Sequence, residues 1–132
     1  MMRIITFGTF DMFHIGHLNI IERARALGDY LIVGVSADQL NFKKKNRFPI
    51  CRQEDRLKII RALKAVDEVF IEESLEQKAD YIKQFRADCL VMGDDWRGRF
   101  DHFQDICDVI YLPRTPSIST TELIEVVRSQ QF

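Results

Sequence analysis

No run of apolar residues in this 132-residue sequence approaches the roughly 20 that a membrane-spanning helix requires. The N-terminus enters an apolar segment directly, without the charged leader and cleavage site of a secretory signal peptide. Cysteine is also scarce, and Cys51, Cys89 and Cys107 form neither a CxxC pair nor a paired framework. We therefore expect a cytoplasmic protein with reduced thiols and no membrane partner.

An excess of charge of one sign is missing as well. With 19 Lys and Arg against 20 Asp and Glu, the formal net charge is -1, so no global basic field argues for a nucleic-acid partner. Hydrophobic and charged fractions of 46% and 30% are typical of a soluble globular protein. The chain has no repeat or linker and can bury one core, so we expect a single domain over residues 1–132.

Apolar and amphipathic segments alternate along the chain. The apolar segments, typical of strands covered on both faces, are residues 4–7, 30–35, 68–71, 89–92 and 109–112. The segments with apolar residues at helical spacing are residues 18–27, 52–64, 75–85 and 120–128. This alternation predicts the α/β class: a single Rossmann-like domain with a five-stranded parallel sheet flanked by helices.

The segment from Gly8 to His17, GTFDMFHIGH, lies between the first predicted strand and the first predicted helix. Ligands bind at this carboxyl edge in open α/β sheets. A helix that begins near Gly16 directs free backbone N–H groups and the positive end of its dipole at this edge, which suits phosphate. Gly8 and Gly16 let the backbone approach a ligand, while His14 and His17 add two imidazole donors. The segment predicts a phosphate site with catalytic donors.

Two other interpretations of the histidine pair stay open. His14 and His17 could bind a metal, but a structural zinc site needs four ligands, the chain contains only three histidines, and no cysteine lies near the pair. They could also be residues of a helix start without a chemical role. The glycines and the preceding strand favour the phosphate interpretation.

A second segment, from Arg114 to Thr121 (RTPSISTT), follows the last predicted strand and leads into the last predicted helix. Arg114 is therefore expected at the same edge of the sheet, where its planar guanidinium can hold two phosphate oxygens. Ser119 and Glu122 have the spacing of a capping box, which alone could account for Ser119 and Thr120. Capping and phosphate binding both use a helix start, so the two interpretations are compatible.

Charged residues mark two further places. The run from Lys43 to Arg47 is expected in a loop after the second strand, either as a solvated surface or as a mobile cationic flap over two anionic substrates. Asp94 and Asp95 follow the fourth strand, where paired carboxylates could serve a metal or acid–base chemistry. Trp96, the next residue, is expected in the core rather than as a stacking platform.

The segments GTFDMFHIGH and RTPSISTT resemble the two signatures of the nucleotidyltransferase superfamily that includes the cytidylyltransferases and shares its His-x-Gly-His element with class I aminoacyl-tRNA synthetases. The segment MGDDW at residues 92–96 and the short length narrow the resemblance to cytidylyltransferases that act on glycerol-3-phosphate. The resemblance runs from the first strand to the last helix. A tRNA synthetase is excluded by length, since nothing remains to bind tRNA.

The resemblance implies an enzyme that forms CDP-glycerol and pyrophosphate by in-line attack of glycerol-3-phosphate on the α-phosphorus of CTP. Because the attacking phosphate is already an anion, no general base is required, and catalysis reduces to alignment and charge stabilisation. Mg²⁺ or another divalent cation is expected mainly on the triphosphate oxygens, without a metal site of the protein's own. The family also implies a homodimer and a product used for a teichoic-acid-like or capsular polymer.

The resemblance also implies roles for individual residues. The catalytic residues are His14, His17 and Arg114. The nucleotide contacts are Thr9, Phe10, Asp11, His14, Gly16, His17, Asp95, Arg114, Thr115, Ile118, Ser119, Thr120 and Thr121. The acceptor contacts are Lys44 and Lys78, although Lys78 could equally be a surface lysine on a helix. It stays open whether Lys45 or Arg47 makes a second basic contact to the nucleotide, and whether Asp11 orients a histidine or helps the metal.

Three positions depart from the family pattern. Ser117 replaces a glycine and would be strained if that position needs a positive φ. Lys64 replaces an arginine and loses its bidentate geometry. Leu75 replaces a tryptophan. These departures bear on the nucleotide loop and on substrate contacts.

Two alternative functions stay open. One is a transferase for another small phosphorylated alcohol, such as phosphocholine or phosphoethanolamine, or one that adenylates instead. The other is a nucleotide-binding regulator without turnover. The presence of both histidines and of the Arg-Thr segment argues against the regulator.

Overall fold

The computed structural model describes residues 1–116 and 118–130. Its strands form one parallel sheet in the order β3-β2-β1-β4-β5, which confirms the predicted five-stranded α/β fold. The strands are β1 (Arg3–Gly8), β2 (Tyr30–Ser36), β3 (Glu68–Glu72), β4 (Cys89–Gly93) and β5 (Asp108–Leu112). The α-helices are α1 (Ile15–Ala26), α2 (Asp38–Lys45), α3 (Gln53–Arg61), α4 (Lys78–Gln84) and α5 (Thr120–Ser129). Short 3₁₀ turns are Leu75–Gln77, Asp94–Trp96 and Asp101–Asp105. Ser117, the residue that replaces the family glycine, lies outside the described residues.

The sheet forms because its central strands are apolar on both faces. Alternate strand residues point to opposite faces, so Ile4 packs with Leu31 on one side of the sheet and Ile5 packs with Ile32 on the other. Each of these side chains is fully buried, which stabilises the fold by about 1.5–3 kcal/mol per side chain. The helical residues in the two clusters are Ile21, Ala24 and Ile60 on the first face and Ile82 on the second.

The order of the strands reverses at β1. This strand pairs with β2 on one side, where Gly8 is opposite Val35, and with β4 on the other, where Ile4 is opposite Cys89. In open α/β sheets a crevice forms at the carboxyl ends of the strands where the order reverses, and ligands bind there. The segment that begins at Gly8 leaves β1 at this crevice, and the 3₁₀ turn Asp94–Trp96 follows β4 beside it.

The segment after β2 differs from the expected loop. Lys43, Lys44 and Lys45 form the last turn of α2, which ends at Asn46 in the left-handed conformation (φ 57°). Lysine has a high helix propensity, and cations at a helix C-terminus interact favourably with the helix dipole. The prediction of a loop was therefore wrong for the three lysines, and only the residues that follow, Arg47 among them, lie outside the helix.

Two predicted helices are shorter than their apolar spacing suggested. Helix α3 ends at Arg61, but Leu63 still packs against the core from the following turn, so the helical spacing continues past the helix. Before α4, the Ser74 hydroxyl accepts a hydrogen bond from the Glu76 N–H and caps a 3₁₀ turn. Across the described part of the chain, no helix is both long and apolar enough to cross a membrane.

Candidate functional site

The turn after β1 has a strained backbone. Phe10 (φ 54°) and Met12 (φ 50°) both adopt the left-handed conformation, which is uncommon for residues with bulky side chains. The Phe10 ring folds back over Gly8, where an added Cβ would lie 2.7 Å from the ring Cζ. The same ring meets His17 edge-on, with ring centroids 5.5 Å apart. Backbone strain of this kind concentrates at functional sites.

The two histidines cap the helix that follows. His14 is the N-cap of α1, and its Nδ1 accepts a hydrogen bond from the Gly16 N–H at 3.0 Å. The His14 N–H in turn donates to the Nδ1 of His17 at 3.2 Å. An imidazole that accepts at Nδ1 in its neutral form carries its proton on Nε2. The local fold therefore gives both residues the same tautomer, with Nε2–H available as a donor.

The imidazoles lie against each other at this helix start. Their rings are stacked with centroids 3.7 Å apart and planes inclined by 24°. A Cβ on Gly16 would lie 2.8 Å from the His14 Cε1, so glycine is needed for this arrangement. The His14 Nε2 is buried and has no hydrogen-bond partner among the described residues. An unsatisfied buried donor at a crevice indicates a place for an external acceptor.

The histidines are neutral in the free protein. The pKa of His17 is lowered to about 4, chiefly by burial and secondly by the nearby His14, while Asp11 opposes the shift. Burial also lowers the pKa of His14. At neutral pH the pair therefore offers hydrogen-bond donors rather than positive charges.

Asp11 has a role that the sequence did not indicate. Its two carboxylate oxygens accept hydrogen bonds from the backbone N–H groups of Ile50 and Cys51, each at 2.8 Å. In this structure the hydrogen bonds of the carboxylate go to backbone N–H groups, and its contact with a histidine or a metal stays a prediction. Asp11 thus anchors the segment between α2 and α3 to the turn after β1.

The second predicted segment is attached directly to the first. The Thr120 hydroxyl donates to the Asp11 carbonyl at 2.8 Å, and the Asn19 amide on α1 donates to the Thr115 hydroxyl at 2.9 Å. Ser119 caps α5 by accepting from the Glu122 N–H at 3.1 Å, which is the serine half of the predicted capping box. The start of α5 therefore lies beside the start of α1, with the positive ends of both helix dipoles at the crevice.

Three adjoining cavities lie along this edge, with volumes of about 490, 370 and 670 Å³. The predicted nucleotide contacts that line the first cavity are Phe10, His14, Gly16, His17, Asp95, Arg114, Thr115, Ile118, Ser119, Thr120 and Thr121. The remaining two, Thr9 and Asp11, line the second cavity. The predicted acceptor contacts, Lys44 and Lys78, both line the third. The fold thus brings the predicted site residues together.

The basic residues at the end of α2 are divided between the cavities. Lys45 lines the second and third cavities, and Arg47 lines the second. Both are thus placed for a second basic contact to a nucleotide, and the choice between them stays open. Two of the residues that differ from the family pattern lie in different places. Leu75 lines the third cavity, whereas Lys64 is exposed in the turn after α3.

Lys78 is not a surface lysine. It begins α4 and is 3% exposed, and its Nζ donates to the Glu72 Oε2 at 2.6 Å. The ammonium also lies 3.7 Å from the centroid of the Phe7 ring, within reach of a cation–π interaction. Burial lowers the pKa of Lys78, and the neighbouring Glu72 carboxylate opposes this shift.

Trp96 lies at the candidate site rather than in the core, where it was expected. The prediction placed it in the core, but it is half-buried and lines all three cavities, as does Asp95. Its ring packs 5.6 Å from that of Phe100, and the Arg99 guanidinium lies 5.5 Å from its centroid. The feature of the sequence that could have predicted this place is the position of Trp96 just after β4, at the edge of the sheet where ligands bind.

Arg56 is a further residue that sequence reasoning missed. Its guanidinium, which is 1% exposed, donates to the carbonyls of Thr9 and Ser36 at 2.8 Å and of Cys51 at 2.9 Å. It also binds the Asp38 carboxylate at 2.6 Å. Arg56 therefore links the turn after β1 to the start of α2. The available signal was an arginine on the apolar face of the predicted helix, one turn before the buried Ile60.

We searched the described residues for a cluster of side chains that could hold a metal ion without a substrate. Among these residues, no group of three or more His, Cys, Asp and Glu side chains is arranged to hold a metal ion. Mg²⁺ commonly accompanies a nucleotide through phosphate oxygens and water. Its participation stays a prediction.

Comparison of the sequence with known protein families defines the class of protein. A sequence profile of the cytidylyltransferase-like family matches residues 5–126. The chain therefore belongs to the cytidylyltransferase-like family, which confirms the resemblance carried by the two sequence signatures.

Individual relatives are similar over nearly the whole chain. The chain is 46% identical over 127 residues to the glycerol-3-phosphate cytidylyltransferase of Bacillus subtilis (strain 168), covering 96% of this chain and 98% of the relative. It is 44% identical over 123 residues to the glycerol-3-phosphate cytidylyltransferase of Staphylococcus aureus (strain NCTC 8325 / PS 47), covering 93% and 92%. A lipopolysaccharide core biosynthesis protein from Thermoplasma volcanium GSS1 has a similar fold, with a TM-score of 0.78 at 23% identity, covering 87% of this chain and 98% of that one.

Proposed function

We propose that the protein transfers the cytidylyl group of CTP to glycerol-3-phosphate, forming CDP-glycerol and pyrophosphate. The observation that carries this proposal is the meeting of two different cavities at Asp95 and Trp96. One cavity contains two neutral imidazole donors and the start of a helix, and the other contains three lysines. Such an arrangement suits two phosphate-bearing substrates. The similarity to glycerol-3-phosphate cytidylyltransferases supports the choice of substrates.

CTP occupies the first cavity in this proposal. The N-terminus of α5, with Ser119 and Thr120, and the guanidinium of Arg114 bind the β- and γ-phosphates. The Nε2–H donors of His14 and His17 bind oxygens on the α-phosphate. Asp95, at the junction of the cavities, accepts a hydrogen bond from the amino group of cytosine.

Glycerol-3-phosphate occupies the third cavity, where Lys44 and Lys78 bind its phosphate. One phosphate oxygen attacks the α-phosphorus of CTP, the bond to the bridging oxygen breaks, and pyrophosphate leaves on the opposite side. The nucleophile needs no general base because it is already an anion. The protein contributes alignment of two anions that repel each other and donors for the charge that develops on the α-phosphoryl oxygens. The imidazoles supply these donors without reorganisation, because backbone groups already hold their orientation.

A divalent cation such as Mg²⁺ would enter on the triphosphate and neutralise part of its charge. We also propose that the protein acts in the cytoplasm as a homodimer, and that its product supplies activated glycerol for a wall or capsular polymer. The family resemblance supports the homodimer and the use of the product, the scarce and unpaired cysteines support the location, and the ordinary chemistry of nucleotides supports the cation.

The direct test is pyrophosphate release from the purified protein with CTP, ATP, GTP or UTP, each paired with glycerol-3-phosphate, phosphocholine or phosphoethanolamine. We expect turnover to be highest with CTP and glycerol-3-phosphate. Faster turnover with another pair would assign the protein to a sister transferase. Binding of CTP without turnover of any pair would support the regulator instead.

A further inference from the structure

A buried ion pair lies at the wall of the third cavity. Lys78 and Glu72 are joined at 2.6 Å, and their side chains are only 4% and 1% exposed. Desolvation of two buried charges costs about as much free energy as their attraction returns, so stability alone is a weak reason for such a pair. Its location beside Lys44, at the cavity assigned to the acceptor, suggests a functional reason.

The contacts of Glu72 are directed mainly at this lysine. Its Oε2 accepts the short bond from Lys78, while its Oε1 accepts, among the described residues, only a long bond of 3.4 Å from the Ser36 hydroxyl. We propose that Glu72 is a positioning residue: its carboxylate keeps the Lys78 ammonium protonated and directed into the third cavity, where Lys78 binds the acceptor phosphate. This inference rests on the function proposed above, because it concerns the acceptor of that reaction.

The physical basis is the opposition between burial and charge at Lys78. Burial lowers the pKa of the ammonium, and Glu72 is the group that opposes this shift. Without the carboxylate, the buried amine loses its proton at a lower pH. The other charged or titratable groups at this cavity are Lys44 and Lys45 on α2, Asp95 and Arg99 after β4, and His102 in the last 3₁₀ turn. Glu72 also opposes the burial that lowers the pKa of Lys44, so its replacement affects both lysines, and a second variant with Lys78→Arg isolates the contribution of Lys78.

The test is steady-state kinetics of Glu72→Gln, which keeps the shape of the side chain and an acceptor oxygen but removes the charge. We expect the KM for glycerol-3-phosphate to rise on the order of 10-fold at pH 8 and to rise further toward pH 9, with the KM for CTP nearly unchanged. The wild type should be flat over this range, since the acceptor phosphate is fully ionised well above its second pKa of about 6. In Glu72→Gln/Lys78→Arg the pH dependence should fall to the part that Lys44 contributes, because the guanidinium at position 78 stays protonated.

Glu73→Gln is the matched control, since it removes the same charge from an exposed neighbour and should behave as the wild type. If Glu72→Gln is unstable, Glu72→Asp should raise the KM for glycerol-3-phosphate alone and keep a flat pH profile. Equal changes in both KM values, or an unchanged acceptor KM at every pH, would overturn the inference while leaving the proposed function intact. A wild type that does not use glycerol-3-phosphate would instead overturn the proposed function.

Discussion

At the scale of single residues, the site depends on how the backbone holds two imidazoles. His14 and His17 accept backbone N–H donors at Nδ1, so that Nε2–H remains for a ligand. Gly16 leaves room for the His14 ring, and Gly8 leaves room for Phe10, which contacts His17. The helix cap and the proposed catalytic donors are therefore the same side chains.

Capping and catalysis by His14 can be separated by mutation. Asparagine is a favourable N-cap whose Oδ1 can accept the Gly16 N–H, but its amide donors lie on a shorter side chain and do not reach the position of the histidine Nε2–H. We expect His14→Asn to retain the thermal stability of the wild type and to lower kcat by about 100-fold, as loss of a transition-state donor does. His14→Ala should lower both kcat and Tm. Wild-type turnover in a folded His14→Asn protein would remove His14 from the proposed chemistry.

The neutrality of His17 predicts an effect of pH on stability. Its pKa is about 4 in the folded protein, against an ordinary value of 6.5. Between these values the unfolded chain binds more protons, so the free energy of unfolding decreases as pH falls from 6.5 toward 4. His17→Asn lacks the titrating group and should lose stability less steeply in urea titrations across this window. Parallel curves for the two proteins would show that His17 is charged or solvated in the folded state.

At the scale of the elements, α2 carries the lysines and Arg56 fixes where the helix starts. The guanidinium joins Asp38, the first residue of α2, to the Thr9 carbonyl in the turn after β1. Thr9 also donates its hydroxyl to the buried Asn41 on the same helix at 2.8 Å. The position of α2 relative to the histidine turn is therefore set by buried polar contacts.

Replacement of Arg56 tests this connection. Arg56→Lys keeps the charge but cannot reproduce four directed hydrogen bonds, so we expect a loss of about 3–5 kcal/mol in the free energy of unfolding. Arg52→Lys is the matched control, because the pair of Arg52 with Asp55 is exposed to solvent and its change should leave the free energy of unfolding near that of the wild type. Urea titration of the three proteins gives the comparison. Equal stability of Arg56→Lys and the wild type would contradict the assigned contacts.

The end of α2 should favour one substrate over the other. Lys44 lines the third cavity, so Lys44→Ala should raise the KM for glycerol-3-phosphate by more than the KM for CTP. Lys43→Ala removes the same charge one residue earlier and should have a smaller effect on both. The measurement is steady-state kinetics with each substrate varied in turn. If Lys44 were only part of a solvated helix end, Lys43→Ala and Lys44→Ala would have the same KM values.

At the scale of the whole molecule, the strand order places both signature segments at one crevice. Much of this could be predicted, because continuous apolar runs specify the strands and parallel strands bring their carboxyl ends to one edge. The missed features depend on contacts between distant parts of the chain. Asp11 binds backbone groups 39 and 40 residues later, and Arg56 binds a carbonyl 47 residues earlier. No local pattern contains such information. The single domain and the homodimer stay predictions.

The measurement that tests the central claim most directly is the stereochemistry at phosphorus with an α-phosphorothioate analogue of CTP of defined configuration. A single in-line attack by glycerol-3-phosphate must invert the α-phosphorus, and we expect CDP-glycerol thio-analogue of inverted configuration with one equivalent of pyrophosphate. ³¹P NMR of the product identifies the diastereomer. Retention would require two displacements and a covalent cytidylyl-enzyme intermediate, which would contradict direct transfer between substrates aligned by the histidines and lysines.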